Sequence, residues 1–262
     1  MIEWLVFILI GVFTGIFSGL LGLGGGLIVV PSLIAVFTWQ GLPELHLMHI
    51  AIGTSLMTIV VTSLSSSYAH HQYQHVNWRL FKWLVPGLVV GGLMGAYFAT
   101  LISSNLLQRC FAVYVIFVAI RMWVPILPSG NTLLLNKKIL SLFGTLAGAI
   151  SALVGIGGGS LVVPYLTMAK QSMPKAIGTS AACGFPISLA AVTGFIIFGQ
   201  SDDVITNQWL RGHIHWQAFL GIISTSTLFS IVGAKLTNTL PVNILKQLFS
   251  IVLIVVAVYL IK

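Results

Sequence analysis

Two apolar stretches of this chain are too long to be single membrane helices, and both are interrupted by glycine at the same place. The first contains GLLGLGGGLIVVPSL, Gly19 to Leu33, with five glycines within eight residues and a proline behind them. The second contains ALVGIGGGSLVVPYL, Ala152 to Leu166, and nine of the fifteen positions are identical. Glycine costs about 1 kcal/mol and proline about 3 kcal/mol against alanine in a helix interior. A continuous 36-residue helix over 3–38 would also be about 54 Å long, where the hydrocarbon core needs only about 30 Å. Each long stretch must therefore turn, and the glycines are where it turns.

The surroundings are those of a polytopic integral membrane protein. Hydrophobic residues make up 57% of the chain and charged residues 6%, against roughly 25% charged in a soluble domain. The runs are too long and too uniformly apolar for the alternating strands of a barrel, so the expected class is all-α. The net charge of +8 comes from twelve scattered Lys and Arg, with no basic cluster interleaved with aromatics, and points to topology signals rather than nucleic acid. MIEWLVFILI lacks the positive front of a signal peptide, so the first segment is expected to be retained. Cys110 and Cys183 both fall in apolar segments and read as buried thiols rather than a disulfide.

The repeat extends past the glycine runs. AIGTS at Ala51–Ser55 returns at Ala176–Ser180; Trp78 matches Trp216, Gly95-Ala96 matches Gly233-Ala234, and Asn105 and Phe111 match Asn243 and Phe249. The domain reading is a first membrane repeat over 1–123, a linker over 124–138 and a second repeat over 139–262. Each repeat has four hydrophobic segments, about 3–38, 45–68, 80–102 and 105–123, then 139–169, 174–199, 214–236 and 241–261, with the first of each four broken. If each broken segment returned to its starting side, nine cations (Arg79, Lys82, Arg121, Lys137, Lys138, Lys170, Lys175, Lys235 and Lys246) would share one face. Only Arg109, Arg211 and Lys262 would lie on the other. The positive-inside rule makes the nine-residue face cytoplasmic, puts both termini outside, and makes the repeats inverted.

Non-helical backbone is tolerated inside a bilayer only where protein or a water-filled cavity surrounds it, and inverted repeats with broken helices are a recurring design in secondary transporters. The exposed N–H groups at the start of a half-helix favour an anion, and glycine lets it approach the backbone closely. Candidate substrate-binding residues are therefore Gly24, Gly25, Gly26 and Pro31 in one half with Gly157, Gly158, Gly159 and Pro164 in the other. Tight helix packing is the competing reading of a glycine cluster; the duplication, the proline and the segment length favour a functional break. No GK[ST] follows, so a phosphate-cradling loop does not fit. Thr54, Ser55, Thr179 and Ser180 join the candidates as hydroxyl donors, against helix capping or bonding to their own backbone. CGFP, Cys183 to Pro186, suggests a further kink.

His70, His71 and His75 cluster in AHHQYQH, and His46 and His49 in HLMH. On a helix His71 and His75 would be i,i+4 and able to share a metal, but no carboxylate accompanies them and no metal or other cofactor is expected. No acid lies deep in a segment, so a coupling proton would travel on histidine or on the substrate.

With both G-x-GGG-x4-P motifs and the GTS after each in view, the chain resembles the sulfite exporter TauE/SafE family over nearly its whole length. The resemblance implies an inner-membrane transporter, not an enzyme, moving a small anion of the sulfite or organosulfonate class, with export the direction it suggests. The partners are then the anionic substrate and the lipid bilayer. An anion channel, a membrane-embedded histidine-metal enzyme and an accessory subunit are the alternatives.

Overall fold

The computed structural model describes residues 2–22, 24–123, 135–199, 209–211, 213–237 and 242–261. Most of the inter-repeat linker, the loop carrying Asp202 and Asp203, and Lys262 lie outside the described residues. The first half forms α1 (Ile2–Leu21), α2 (Gly26–Trp39), α3 (Glu44–Gln72), α4 (Trp78–Leu101) and α5 (Ser104–Trp123). The second forms α6 (Lys137–Val154), α7 (Gly159–Met168), α8 (Met173–Phe198), α9 (Trp216–Leu236) and α10 (Val242–Ile261). A two-residue ladder, β1 (Leu210–Arg211) with β2 (Ile214–His215), precedes α9. Among the described residues seven helices are long and apolar enough to cross a membrane, and α2, α7 and the Phe249–Val258 part of α10 are shorter apolar helices. The molecule is a multi-pass integral membrane protein.

Both long segments break where the glycines are. α1 gives way to α2 across Gly22–Gly25, and α6 gives way to α7 across Gly155–Gly158. The extra eight residues of the first half are split evenly. Trp39 lies eight residues past Pro31, whereas Met168 lies four past Pro164; α3 begins ten residues before Thr54, and α8 six before Thr179. The insertion is thus about one helical turn on α2 and one on α3, with the two connections equal. Pro186 does not end α8, which is continuous from Met173 to Phe198.

Packing is exchanged between the halves. α1 lies on α9 and α6 lies on α4. Gly11, Gly15 and Gly19 meet Ile222, Ser226 and Ser230 in that order, and Gly87, Gly91 and Gly95 meet Ser141, Thr145 and Ala149. Each pair therefore runs in parallel, backbone against backbone, along a stripe of small residues that suits close approach in lipid. α3 is parallel to α9, since Thr54 meets His215 and Ser65 meets Ser230. α8 is parallel to α4, since Thr179 meets Asn77 and Gly194 meets Ala96. The α1–α3–α9 group runs opposite to the α4–α6–α8 group, because His49 at the start of α3 reaches the Ala99 carbonyl at the end of α4. α5 pairs head-to-tail with α10, where Gln108 donates to the Leu260 carbonyl at 2.9 Å.

The exterior is apolar, with Leu5, Leu9, Phe13, Leu142, Leu146 and Val255 exposed, while hydroxyls such as Thr62, Ser66, Ser188 and Ser226 are buried. That is the distribution expected of helices facing lipid, where backbone groups are satisfied within each helix. α3 and α8 are the most enclosed spans, and the glycine breaks sit against them.

Candidate functional site: two uncapped half-helices

The two breaks meet. A Cβ on Gly24 would lie 2.8 Å from the Cα of Gly157, and one on Gly26 would fall 2.9 Å from the Cα of Ile156. Only glycine permits this approach of two backbones. Each half-helix starts behind a left-handed glycine, Gly25 at φ 82° and Gly158 at φ 78°, and neither start has a side-chain cap. The Gly25 carbonyl accepts from Ile28 and Val29, and the Gly158 carbonyl from Leu161 and Val162. The earlier amides of each first turn have no intrahelical partner, by the geometry of any α-helix. Pro31 and Pro164 stand inside α2 and α7, where each removes an N–H and frees the carbonyl four residues earlier.

The AIGTS motifs hold this junction together. Ser55 Oγ donates to the Gly155 carbonyl at 2.9 Å, and Ser180 Oγ donates to the Gly22 carbonyl at 3.2 Å. Each serine therefore fixes the break of the opposite half. Thr54 Oγ1 accepts from the His215 amide and Thr179 Oγ1 from the Asn77 amide, both at 2.9 Å. His215 and Asn77 are in turn the N-cap residues of α9 and α4. The glycine of each motif makes room, since a Cβ on Gly178 would sit 2.6 Å from the His75 carbonyl. All four hydroxyl residues are buried. Their hydrogen bonds to distant backbone are junction bonds rather than the local caps weighed from sequence.

The sulfite exporter TauE/SafE family model matches residues 7–260. The chain belongs to this family. Its relatives in the family include a protein of Haemophilus influenzae named "Probable membrane transporter protein", 34% identical over 97% of this chain and 96% of its own length. YunE of Bacillus subtilis, with the same description, is 26% identical over 99% of this chain and 97% of its own length. MJ0441 of Methanocaldococcus jannaschii, again so described, is 29% identical over 73% and 70%. No solved structure matches. The family is one of membrane transporters, not enzymes.

Two features of this TauE/SafE protein departed from the sequence expectation. α3 ends at Gln72, so His71 and His75 do not share a helical face. His71 Nδ1 instead accepts from Trp78 Nε1 at 3.2 Å. His70 is buried; its Nε2 donates to the Gly19 carbonyl at 2.8 Å, and its Nδ1 lies 3.4 Å from that of His75. Burial also lowers the pKa of His75 below the usual histidine range. Among the described residues no three metal-ligating side chains come together. The second departure is Ser18 and Ser151, at matching positions one turn before each break. Both are buried and neither hydroxyl has a partner. Carrying the repeat comparison one residue upstream, SGLLG at Ser18 against SALVG at Ser151, would have found them.

Proposed function

We propose that the chain is a secondary transporter for a small, sulfur-containing oxyanion of the sulfite or organosulfonate class, exported across the plasma membrane. The observation that carries this reading is the pair of uncapped half-helix starts meeting at Gly24 and Gly157. Unpaired amides at a helix start deep in the bundle offer donors to an anion, and broken backbone is tolerated there because protein surrounds it. The site needs no buried lysine or arginine, so it holds an anion without the desolvation cost of a fixed cation.

Alternating access follows if the halves are inverted repeats that rock against one another. Support comes from helix direction: α1, α3 and α9 run one way, and their counterparts α6, α8 and α4 run the other. α2 turns back from α1, so the first half crosses an odd number of times. Arg79, Lys82, Lys137, Lys138 and Lys175 lie within the first five residues of α4, α6 and α8, at one end of the bundle, while Glu3 and Glu44 open α1 and α3 at the other. The positive end is then cytoplasmic and both termini are outside.

The test is flux into liposomes containing the purified protein, with sulfite, sulfoacetate, thiosulfate, sulfate and chloride offered separately under an imposed pH gradient. Saturable uptake of a sulfur oxyanion is expected; non-saturating flux without counterflow would replace the carrier with a channel. Cysteines placed at Asp202 and Lys137 should label from opposite sides, and same-side labelling would overturn the inverted arrangement.

A further inference from the structure

The two breaks are alike in backbone and unlike in what surrounds them. Thr58, Thr62, Ser66 and His70 recur every fourth residue along α3 and are all buried, which puts them on one helix face. At the matching positions α8 carries Cys183, Ile187, Ala191 and Phe195, equally buried. The flanking helices differ in the same sense. Ser226 of α9 stands where α4 has Leu88, and Thr14 of α1 stands where α6 has Ala147.

Three hydroxyls around the first break are buried and unpartnered: Ser18 on α1, Ser66 on α3 and Ser226 on α9. Those helices pack on one another in parallel. Their contacts bring the three residues within about one helical turn of one another along the bundle. The Ser226 carbonyl lies 2.6 Å from where a Cβ on Gly15 would be, one turn before Gly19 and next to Ser18 in register. His70, one turn above Ser66, donates to the Gly19 carbonyl. Ser18 also adjoins the start of α2, its Cβ 3.7 Å from where a Cβ on Gly25 would be. Thr58 and Thr62 already donate to their own helix, at 2.7 Å and 3.0 Å. Among the described residues around this break, the hydroxyls left without a partner are those of Ser18, Ser66 and Ser226.

The second break offers less. Ser151 is its only counterpart among the three serines, facing Gly158, with the Ile187 side chain packed over the same glycine. The hydroxyl of Ser160, the second residue of α7, is paired with the Tyr114 hydroxyl at 2.6 Å.

We propose that the anion is bound at the first break alone, by the Ser18, Ser66 and Ser226 hydroxyls together with the free amides that open α2. The second break is a structural junction that holds the first in place. This rests on the transporter reading given above. Buried donors without acceptors are costly to fold around, and a ligand with several strong acceptor oxygens repays three of them at once. Three neutral hydroxyls and two helix-start amides suit a three- or four-oxygen anion and discriminate against a halide, which has one centre to share among five donors.

The test is calorimetric titration of the purified full-length protein in detergent with sulfite, thiosulfate, sulfate and chloride, alongside its melting temperature without added anion. Wild type should bind a sulfur oxyanion and prefer it to chloride. Ser18→Ala, Ser66→Ala and Ser226→Ala should each weaken that binding about 10- to 100-fold, the worth of a hydrogen bond to a charged group. The anion-free melting temperature should be unchanged or raised, since each substitution removes an unsatisfied hydroxyl. Ser151→Ala should leave affinity within about 2-fold. If one of the first three variants fails to fold, the other two decide. Equal losses at Ser18 and Ser151, or no loss at any of the three, would overturn the inference and leave the transporter reading standing. If wild type binds none of the four anions, both fall.

Discussion

The instructive comparison is between α3 and α8. They occupy matching places, each starting one short connection after a half-helix, each carrying AIGTS, and each staking the other half's glycine break with a serine. Where they hold backbone they are the same; where they face the interior they differ, Thr-Thr-Ser-His against Cys-Ile-Ala-Phe. Duplicated backbone geometry is therefore no guide to duplicated chemistry. The fold needs both junctions, whereas a ligand needs only one polar lining.

The hardest strike at that comparison falls on what the halves share. Gly25→Val and Gly158→Val put a β-branched side chain at φ 82° and φ 78°, the left-handed region. Both should insert into the membrane and both should lose transport by more than about 100-fold, on the scale of several kcal/mol of strain and clash. Flux retained in either would break the claim that the junction is needed twice. Next in size is an exchange of linings. Thr58→Cys, Thr62→Ile and Ser66→Ala together give α3 three of the four interior residues of α8, and transport should fall at least about 10-fold, since one charge-assisted hydrogen bond alone is worth that. Cys183→Thr with Ile187→Thr and Ala191→Ser should change it far less. Equal effects would erase the distinction.

A smaller effect sharpens the symmetry. Ser55→Ala and Ser180→Ala each remove one buried hydrogen bond across the halves and should lower stability by about 1 kcal/mol apiece, read as matched shifts in melting temperature. Smallest is a dependence on pH at the cap of α9, where His215 accepts from the Ala218 amide at 3.3 Å while its counterpart Asn77 accepts from Leu80. Burial lowers the His215 pKa, with Glu3 acting the other way. The folded state thus binds fewer protons than the unfolded one below the ordinary histidine pKa of 6.5. Its contribution is full above that value and is lost as pH falls from it towards the lowered one. His215→Asn should flatten the melting temperature between pH 7 and 5; an unchanged slope would remove His215 as the cause.

The break and the membrane class were readable because glycine, proline and apolar run length are statements about backbone and solvent, carried within a few residues. The role of GTS was not readable in the same way. Its recurrence was plain, but the partners of Ser55 and Thr54 lie 100 and 161 residues away, and nothing local to AIGTS points to them. Ser18 is different: its recurrence at Ser151 is legible in the sequence, but only the packed helices show that its hydroxyl has no acceptor. The histidine spacing misled because it presumed helix beyond Gln72, where the chain has already turned towards α4.

The exchanged packing also sets a problem for synthesis. α1 is complete at residue 21, yet the helix it packs against does not begin until residue 216. At a translation rate of about 5–20 residues per second, the glycine face of α1 waits roughly 10–40 s for its partner. During that interval Gly11, Gly15 and Gly19 offer a docking stripe to any passing helix with small side chains. The ribosome thus delivers the first half with a helix face whose partner in the fold has not yet been made.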